Sequence, residues 1–302
     1  YKAKTKVKGK TINQYSLDEQ NGHLRIALYD NDGAKIAIFD ENLKQIGISN
    51  HVAKGEKMYS SRFMGNKAYL VTYKTVDPLF VIDLSNETKP TVLGELHIPG
   101  YSTYLHPYDE NHLIGIGMET EEIVNKNSIG KVTSTTSKIT GMKMALFDVS
   151  DVNNPTQLSQ TIIGDSRTTS AILTNPKALL FSKEKQLLAI PVNNYSEDFE
   201  IDSSIDSYSS IVDSYTNYNK SYVSEGYFVY KKNINDVFNS KGGITHETSQ
   251  KNKNKSSYSY NYNNSKLLRG LYIDNNLYTI SETAIKVNNL DTLELIDELK
   301  IK

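Results

Sequence analysis

Short runs of alternating or β-rich residues recur along this chain, and long stretches with helical periodicity are missing. The clearest run is Val76-Asp77-Pro78-Leu79-Phe80-Val81-Ile82-Asp83-Leu84-Ser85, and Met142-Lys143-Met144-Ala145-Leu146-Phe147-Asp148-Val149-Ser150 repeats it in degraded form. Each copy passes through a polar turn to a proline (Pro90, Pro155) and then to another apolar run. Fainter copies lie at Lys35 to Asp40 and at Ala284 to Asn288. A strand that recurs with hairpins between its copies is the mark of a blade repeat, in which each unit buries its faces on its neighbours.

Grouped by their turns, the strands make five four-stranded units. The first holds Thr11 to Ser16, His23 to Tyr29, Lys35 to Phe39 and Lys44 to Ser49, with hairpin chemistry at Asn21-Gly22 and Asn31-Asp32-Gly33. The second holds Tyr59 to Phe63, Ala68 to Tyr73, Leu79 to Asp83 and Val92 to His97. The third holds Ser102 to His106, His112 to Gly117, Met142 to Asp148 and Gln157 to Ile163. The fourth runs through Ser170 to Leu173, Leu187 to Val192, Gly226 to Tyr230 and Gly243 to Glu247. The fifth runs through Leu267 to Ile273, Asn276 to Ser281, Ala284 to Val287 and Leu293 to Ile301. The expected fold is an all-β propeller over residues 1–302, read as one domain. Three polar inserts, at about 119–140, 195–224 and 248–265, interrupt it as loops.

Two further stretches sharpen this reading. Leu93-Gly94-Glu95-Leu96-His97-Ile98-Pro99-Gly100-Tyr101 follows the first repeat copy, and Tyr104-Leu105-His106-Pro107-Tyr108-Asp109-Glu110-Asn111-His112-Leu113-Ile114-Gly115-Ile116-Gly117 follows it in turn. With the repeat itself they resemble secreted bacterial and archaeal proteins that carry a C-terminal β-propeller domain distantly related to WD40 repeats. The resemblance spans nearly the whole chain and fails in the inserts. It implies export and a propeller with no established catalytic activity, so it assigns no functional residues. It also implies further β-rich sequence upstream, which leaves blade number and ring closure open. A first residue of Tyr1 rather than Met is compatible with that.

Charge and composition remove several function classes. The 34 basic and 35 acidic residues leave a net charge of −1, which gives no field for nucleic acid or an acidic membrane. There is no cysteine, hence no thiol catalysis and no disulfide. No apolar run reaches membrane-spanning length. The 21 tyrosines suit half-exposed strand faces, where ring and hydroxyl meet different media. N-x-S/T sequons at Asn86, Asn194, Asn219, Asn254 and Asn263 make the chain a candidate glycoprotein.

Candidate chemistry is thin. Asp40, Asp83 and Asp148 share one repeat position. They could gather into an axial carboxylate set for glycoside hydrolysis, or each could accept backbone N–H groups in its own turn. His106, Asp109, Glu110 and His112 could hold Zn²⁺ or a similar ion if a turn converged them, or Ca²⁺ through Asp109 and Glu110, but Pro107 and Asp109-Glu110-Asn111 read first as a loop between strands. Asp30-Asn31-Asp32-Gly33 begins like a calcium loop, but Ala34 and Lys35 occupy positions that need an oxygen ligand and a glycine, so a hairpin turn is expected. The acidic stretch Glu197 to Asp213 and the Lys251 to Lys255 run read as solvated loop. The leading expectation is a cofactor-free scaffold, secreted or bound to the cell envelope, that holds a protein or glycan at the cell surface. The alternative is a polysaccharide or peptide hydrolase using carboxylates from several blades.

Overall fold

A computed structural model describes residues 3–73, 77–196, 222–235, 237–246 and 266–301. Two of the three inserts fall largely outside these ranges, as do Asn219, Asn254, Asn263, the acidic stretch and the Lys251 to Lys255 run.

Among the described residues the strands form five four-stranded antiparallel sheets, each in sequential order. Sheet 1 contains β1 (Leu17–Gln20), β2 (His23–Asp30), β3 (Gly33–Phe39) and β4 (Gln45–Ile48). Sheet 2 contains β5 (Lys57–Met64), β6 (Lys67–Tyr73), β7 (Asp77–Asp83) and β8 (Thr91–Ile98). Sheet 3 contains β9 (Tyr101–Asp109), β10 (His112–Lys126), β11 (Val132–Asp148) and β12 (Thr156–Ile163). Sheet 4 contains β13 (Leu180–Ser182), β14 (Leu187–Ser196), β15 (Tyr222–Lys231) and β16 (Asn239–Ile244). Sheet 5 contains β17 (Leu267–Ile273), β18 (Asn276–Ser281), β19 (Ala284–Asn289) and β20 (Leu295–Lys300). The chain divides into two compact units, Tyr1–Ile162 and Ile163–Lys302.

Within the first unit the period of two explains the packing. On β6 and β7, Ala68, Leu70, Phe80 and Ile82 face sheet 1 and cluster with its Ile36 and Ile38, joined by Met58 of β5. The intervening Tyr69, Val71, Leu79 and Val81 face sheet 3 and meet Leu105, Leu113 and Phe147. A strand buried on both faces needs apolar residues throughout, and β6 and β7 read that way. In the second unit, Leu187, Ala189, Tyr227 and Val229 of sheet 4 pack on Leu267, Leu277 and Leu290 of sheet 5.

Gly47 and Gly94 occupy one repeat position, opposite Ile38 and Val81 on the preceding strands. The last hairpin turn of the next sheet, β7 to β8 or β11 to β12, lies against each. A Cβ on Gly47 would lie 1.9 Å from the Glu87 carbonyl oxygen, and one on Gly94 2.5 Å from that of Val152.

The fourth strand of sheet 4 is β16, Asn239–Ile244, rather than Gly243 to Glu247, and three further expectations need correction. Thr11 to Ser16 is not the first strand of its unit. Asn13 accepts the Tyr15 N–H and caps a 3-10 turn over Gln14–Ser16, and the strand is β1, Leu17–Gln20. Ser170 to Leu173 is likewise a 3-10 turn, capped by the Ser170 hydroxyl, and sheet 4 opens instead on the three-residue β13. The insert at 119–140 is not a loop: β10 and β11 continue through it as a paired ribbon, from Glu119↔Gly141 to Lys126↔Val132.

Candidate functional site

The three repeat-position acids serve their own turns. Asp40 Oδ1 accepts the N–H groups of Asn42 (2.9 Å) and Lys44 (2.8 Å). Asp83 accepts the Ser85 N–H at 3.0 Å and its hydroxyl at 2.8 Å. Asp148 accepts the Ser150 N–H at 2.8 Å, and hydrogen bonds from Ser150 hold its carboxyl below the usual range. A carboxylate short enough to fold back on the backbone two residues ahead makes this contact at little entropic cost.

The His106 to His112 cluster is split by the hairpin between β9 and β10. His112 sits between two acids, with Nδ1 2.6 Å from Asp109 Oδ1 and Nε2 4.0 Å from Asp148 Oδ1. Asp109 also accepts the Asn111 N–H at 3.0 Å, and Glu110 is exposed at the turn. His106 pairs across the sheet with Ile114 and meets the Tyr104 hydroxyl at 3.0 Å. Burial, followed by the nearby Arg62 charge, lowers its pKa to about 4.

The ligand-type grouping among the described residues lies elsewhere, at Asp30, Asp32 and His51. Sequence reasoning reached Asp30 and Asp32 as a hairpin turn, and the Asp32 N–H indeed bonds Asp30 Oδ1 at 2.9 Å. It missed His51, which comes from the chain after β4. The ammonium of the buried Lys35 lies 2.8 Å from Asp30 Oδ2 and 3.0 Å from His51 Nε2. That hydrogen bond is the main reason the Asp30 carboxyl falls to about 2. The grouping therefore already holds a cation, supplied by the chain.

Tyrosines converge where β5 meets β9. Tyr101 lies 4.6 Å from Tyr59 and 4.7 Å from Tyr73, centroid to centroid, with Tyr59 and Tyr73 edge to face at 5.9 Å. All three are half-buried, and the Lys57 ammonium stands 5.1 Å over the Tyr59 ring. Burial, and after it the neighbouring phenols, raise the Tyr101 pKa. Farther along the same strands the Arg62 guanidinium lies 4.0 Å from the Tyr15 ring centroid and 5.3 Å from that of Tyr104. Arg62 Nε donates to the Leu105 carbonyl at 2.8 Å, which fixes the plane of the stack. The tyrosine count hinted at this surface, but the residues lie too far apart in sequence to be grouped from it.

The family model for the beta propeller domain matches residues 1–293 of the chain. The chain belongs to the beta propeller domain family. An uncharacterised protein of Methanocaldococcus jannaschii is 38% identical over 204 residues, 65% of this chain and 30% of that protein. An uncharacterised protein of Archaeoglobus fulgidus is 28% identical over 298 residues, 98% of this chain and 36% of that protein. The chain thus spans about a third of the length of these relatives. Among solved structures it is similar to BamB from Moraxella catarrhalis (TM-score 0.34, 9% identity, 100% of this chain and 77% of that one). It is also similar to the C-terminal WD40 domain of Sif2 (TM-score 0.39, 10% identity, 94% and 70%). No helix among the described residues is long and apolar enough to cross a membrane.

Proposed function

We propose that this propeller chain is a non-catalytic binding scaffold, exported and held at the cell surface or envelope, that takes a protein or glycan on its tyrosine surface. The observation that carries this reading is the engagement of Asp40, Asp83 and Asp148 by the backbone of their own turns. A hydrolase of the multi-blade type needs two carboxylates converging on one bond. Here the repeated acids finish hairpins, and the half-buried rings of Tyr59, Tyr73 and Tyr101 supply a rigid amphipathic surface instead.

Export accords with the sequons, of which Asn86 and Asn194 lie among the described residues. Asn86 is exposed in the turn after β7, whereas Asn194 is half-buried near the end of β14 and paired with β15, its Oδ1 sealed from solvent. Asn86 is the better acceptor of the two.

The test is binding of the purified chain to the surface of its native host cells and to a panel of cell-wall glycans. Tyr59→Ala and Tyr101→Ala should each weaken binding on the order of tenfold with the circular dichroism unchanged, while Asp83→Asn leaves binding as it was. Polysaccharide or peptide cleavage by the purified chain, lost in Asp83→Asn or Asp148→Asn, would overturn the scaffold reading in favour of the hydrolase.

A further inference from the structure

The ribbon formed by β10 and β11 reaches well past the rest of sheet 3. Strand β9 begins at Tyr101, opposite Met118, so among the described residues β10 has no strand neighbour on that side from Glu119 onward. Residues 121–136 are exposed, including Ile123 (39%), Val124 (45%) and, at the turn, Ile129 (83%). Both register shifts in the ribbon place the extra residue on β11 (Thr140 and Thr133), so β10 itself stays regular. A two-stranded ribbon in water is marginally stable alone, and proteins usually blunt a bare edge with proline, a bulge or repeated lysines. The β10 edge, Glu121-Glu122-Ile123-Val124-Asn125-Lys126, has neither proline nor bulge and only one lysine.

We propose that this edge pairs with the same edge of a second copy of the chain, antiparallel, about a twofold axis at Val124. The choice of occupant follows from the edge's own charges. Successive residues turn their N–H and C=O groups to opposite sides of a strand, so two identical edges pair only with residues of like parity opposite one another. An axis at Ile123 sets Glu122 opposite Val124. An axis at Val124 sets Glu122 opposite Lys126 of the second copy, Val124 opposite itself and Ile123 opposite Asn125. Glu122, Val124 and Lys126 alternate along the strand and share one face, so the two ion pairs flank the valine contact on that face. The same register brings Ile129 level with Glu119 of the other copy, at the root of its ribbon. The result is a four-stranded sheet, β11-β10-β10-β11, in which the bare edge disappears. A foreign peptide would need to bring a complementary sequence that this chain already carries.

The experiment is sedimentation equilibrium on the full chain over a wide concentration range, with charge swaps as the discriminating variants. The wild type should show a monomer–dimer equilibrium. Glu122→Lys places two like charges opposite each other twice per dimer and should weaken it on the order of tenfold, and adding Lys126→Glu should restore it. The chain has no cysteine, so Val124→Cys should be joined to its own copy by a short bismaleimide, while Asn127→Cys is not. Circular dichroism confirms that each variant is folded. A wild type monomeric at every concentration, a dimer indifferent to Glu122→Lys, or one not restored by Lys126→Glu overturns the proposal.

Discussion

Tyr73 donates its hydroxyl to Ser137 across 2.6 Å, tying the second strand of sheet 2 to the root of the sheet 3 ribbon. The bond comes from within the tyrosine cluster, so the candidate binding surface and the ribbon share a support. Tyr73→Phe keeps the ring contacts and removes only this bond. Stability should fall by about 1 kcal/mol. Hydrogen exchange should quicken over residues 121–138 more than over the β6–β7 hairpin, and equal rates in both places would sever the link.

Below Ser137 the ribbon is anchored by the buried Lys143, whose ammonium lies 3.0 Å from Glu119 and also donates to the Pro99 carbonyl. Lys143→Met leaves a buried carboxylate without its cation, and such losses cost about 3–5 kcal/mol. Adding Glu119→Gln should recover much of that loss. Thermal melts of the two variants measure the difference, and a single variant as stable as wild type would show that the pair carries no net stability.

Two histidines, the buried His246 and the half-buried His106, contribute to the acid side of the stability profile. Burial lowers the pKa of His106 to about 4, and that of His246, between the hydroxyls of Ser281 (2.9 Å) and Thr279 (2.7 Å), also to about 4. Both start from 6.5 in the unfolded chain, so between those values the unfolded state binds more protons. Stability should therefore be full above about pH 6.5 and decline as pH drops toward 4, by roughly 3 kcal/mol for the buried His246 and by less for the half-buried His106. Urea midpoints of His246→Asn across this window should fall less steeply than those of wild type.

Asp30 acts lower on the scale. Its depressed carboxyl stabilises the fold above its ordinary value of 3.8, and that contribution vanishes as pH falls through about 2. The same residue offers a test of the resident cation. Lys35→Ala removes the ammonium from between Asp30 and His51, and the variant should bind Zn²⁺ more tightly than wild type in a calorimetric titration. Equal affinity in the two proteins would mean that Lys35 does not fill the cation position.

The strands of sheet 2 were readable from sequence because β6 and β7 are buried on both faces and bounded by Gly65-Asn66 and Asn86. The opening strands of sheets 1 and 4 were not. There a polar side chain, Asn13 or Ser170, captures the backbone into a 3-10 turn, and the true strands are only four and three residues long. The ribbon was read as loop because its cross-strand partners are Thr and Ser: Ile123 faces Thr136 and Val124 faces Thr135. With no core to face, it lacks the apolar alternation that marks a half-buried strand. Of the candidate chemistry, the turn role of the repeated acids followed from their spacing. The His51 and tyrosine groupings arise only when distant strands meet.

Gly47 and Gly94 bear on how force would travel through the first unit. Each lets the outer strand of one sheet lie flush beneath the closing turn of the next, like successive links of a clasp. Tension applied at sheet 1 would load the turn at Glu87, and through sheet 2 the turn at Val152, before any strand pair within a sheet had to part. Sheets 1 to 3 should then yield together when stretched, as one event of combined length rather than three small ones.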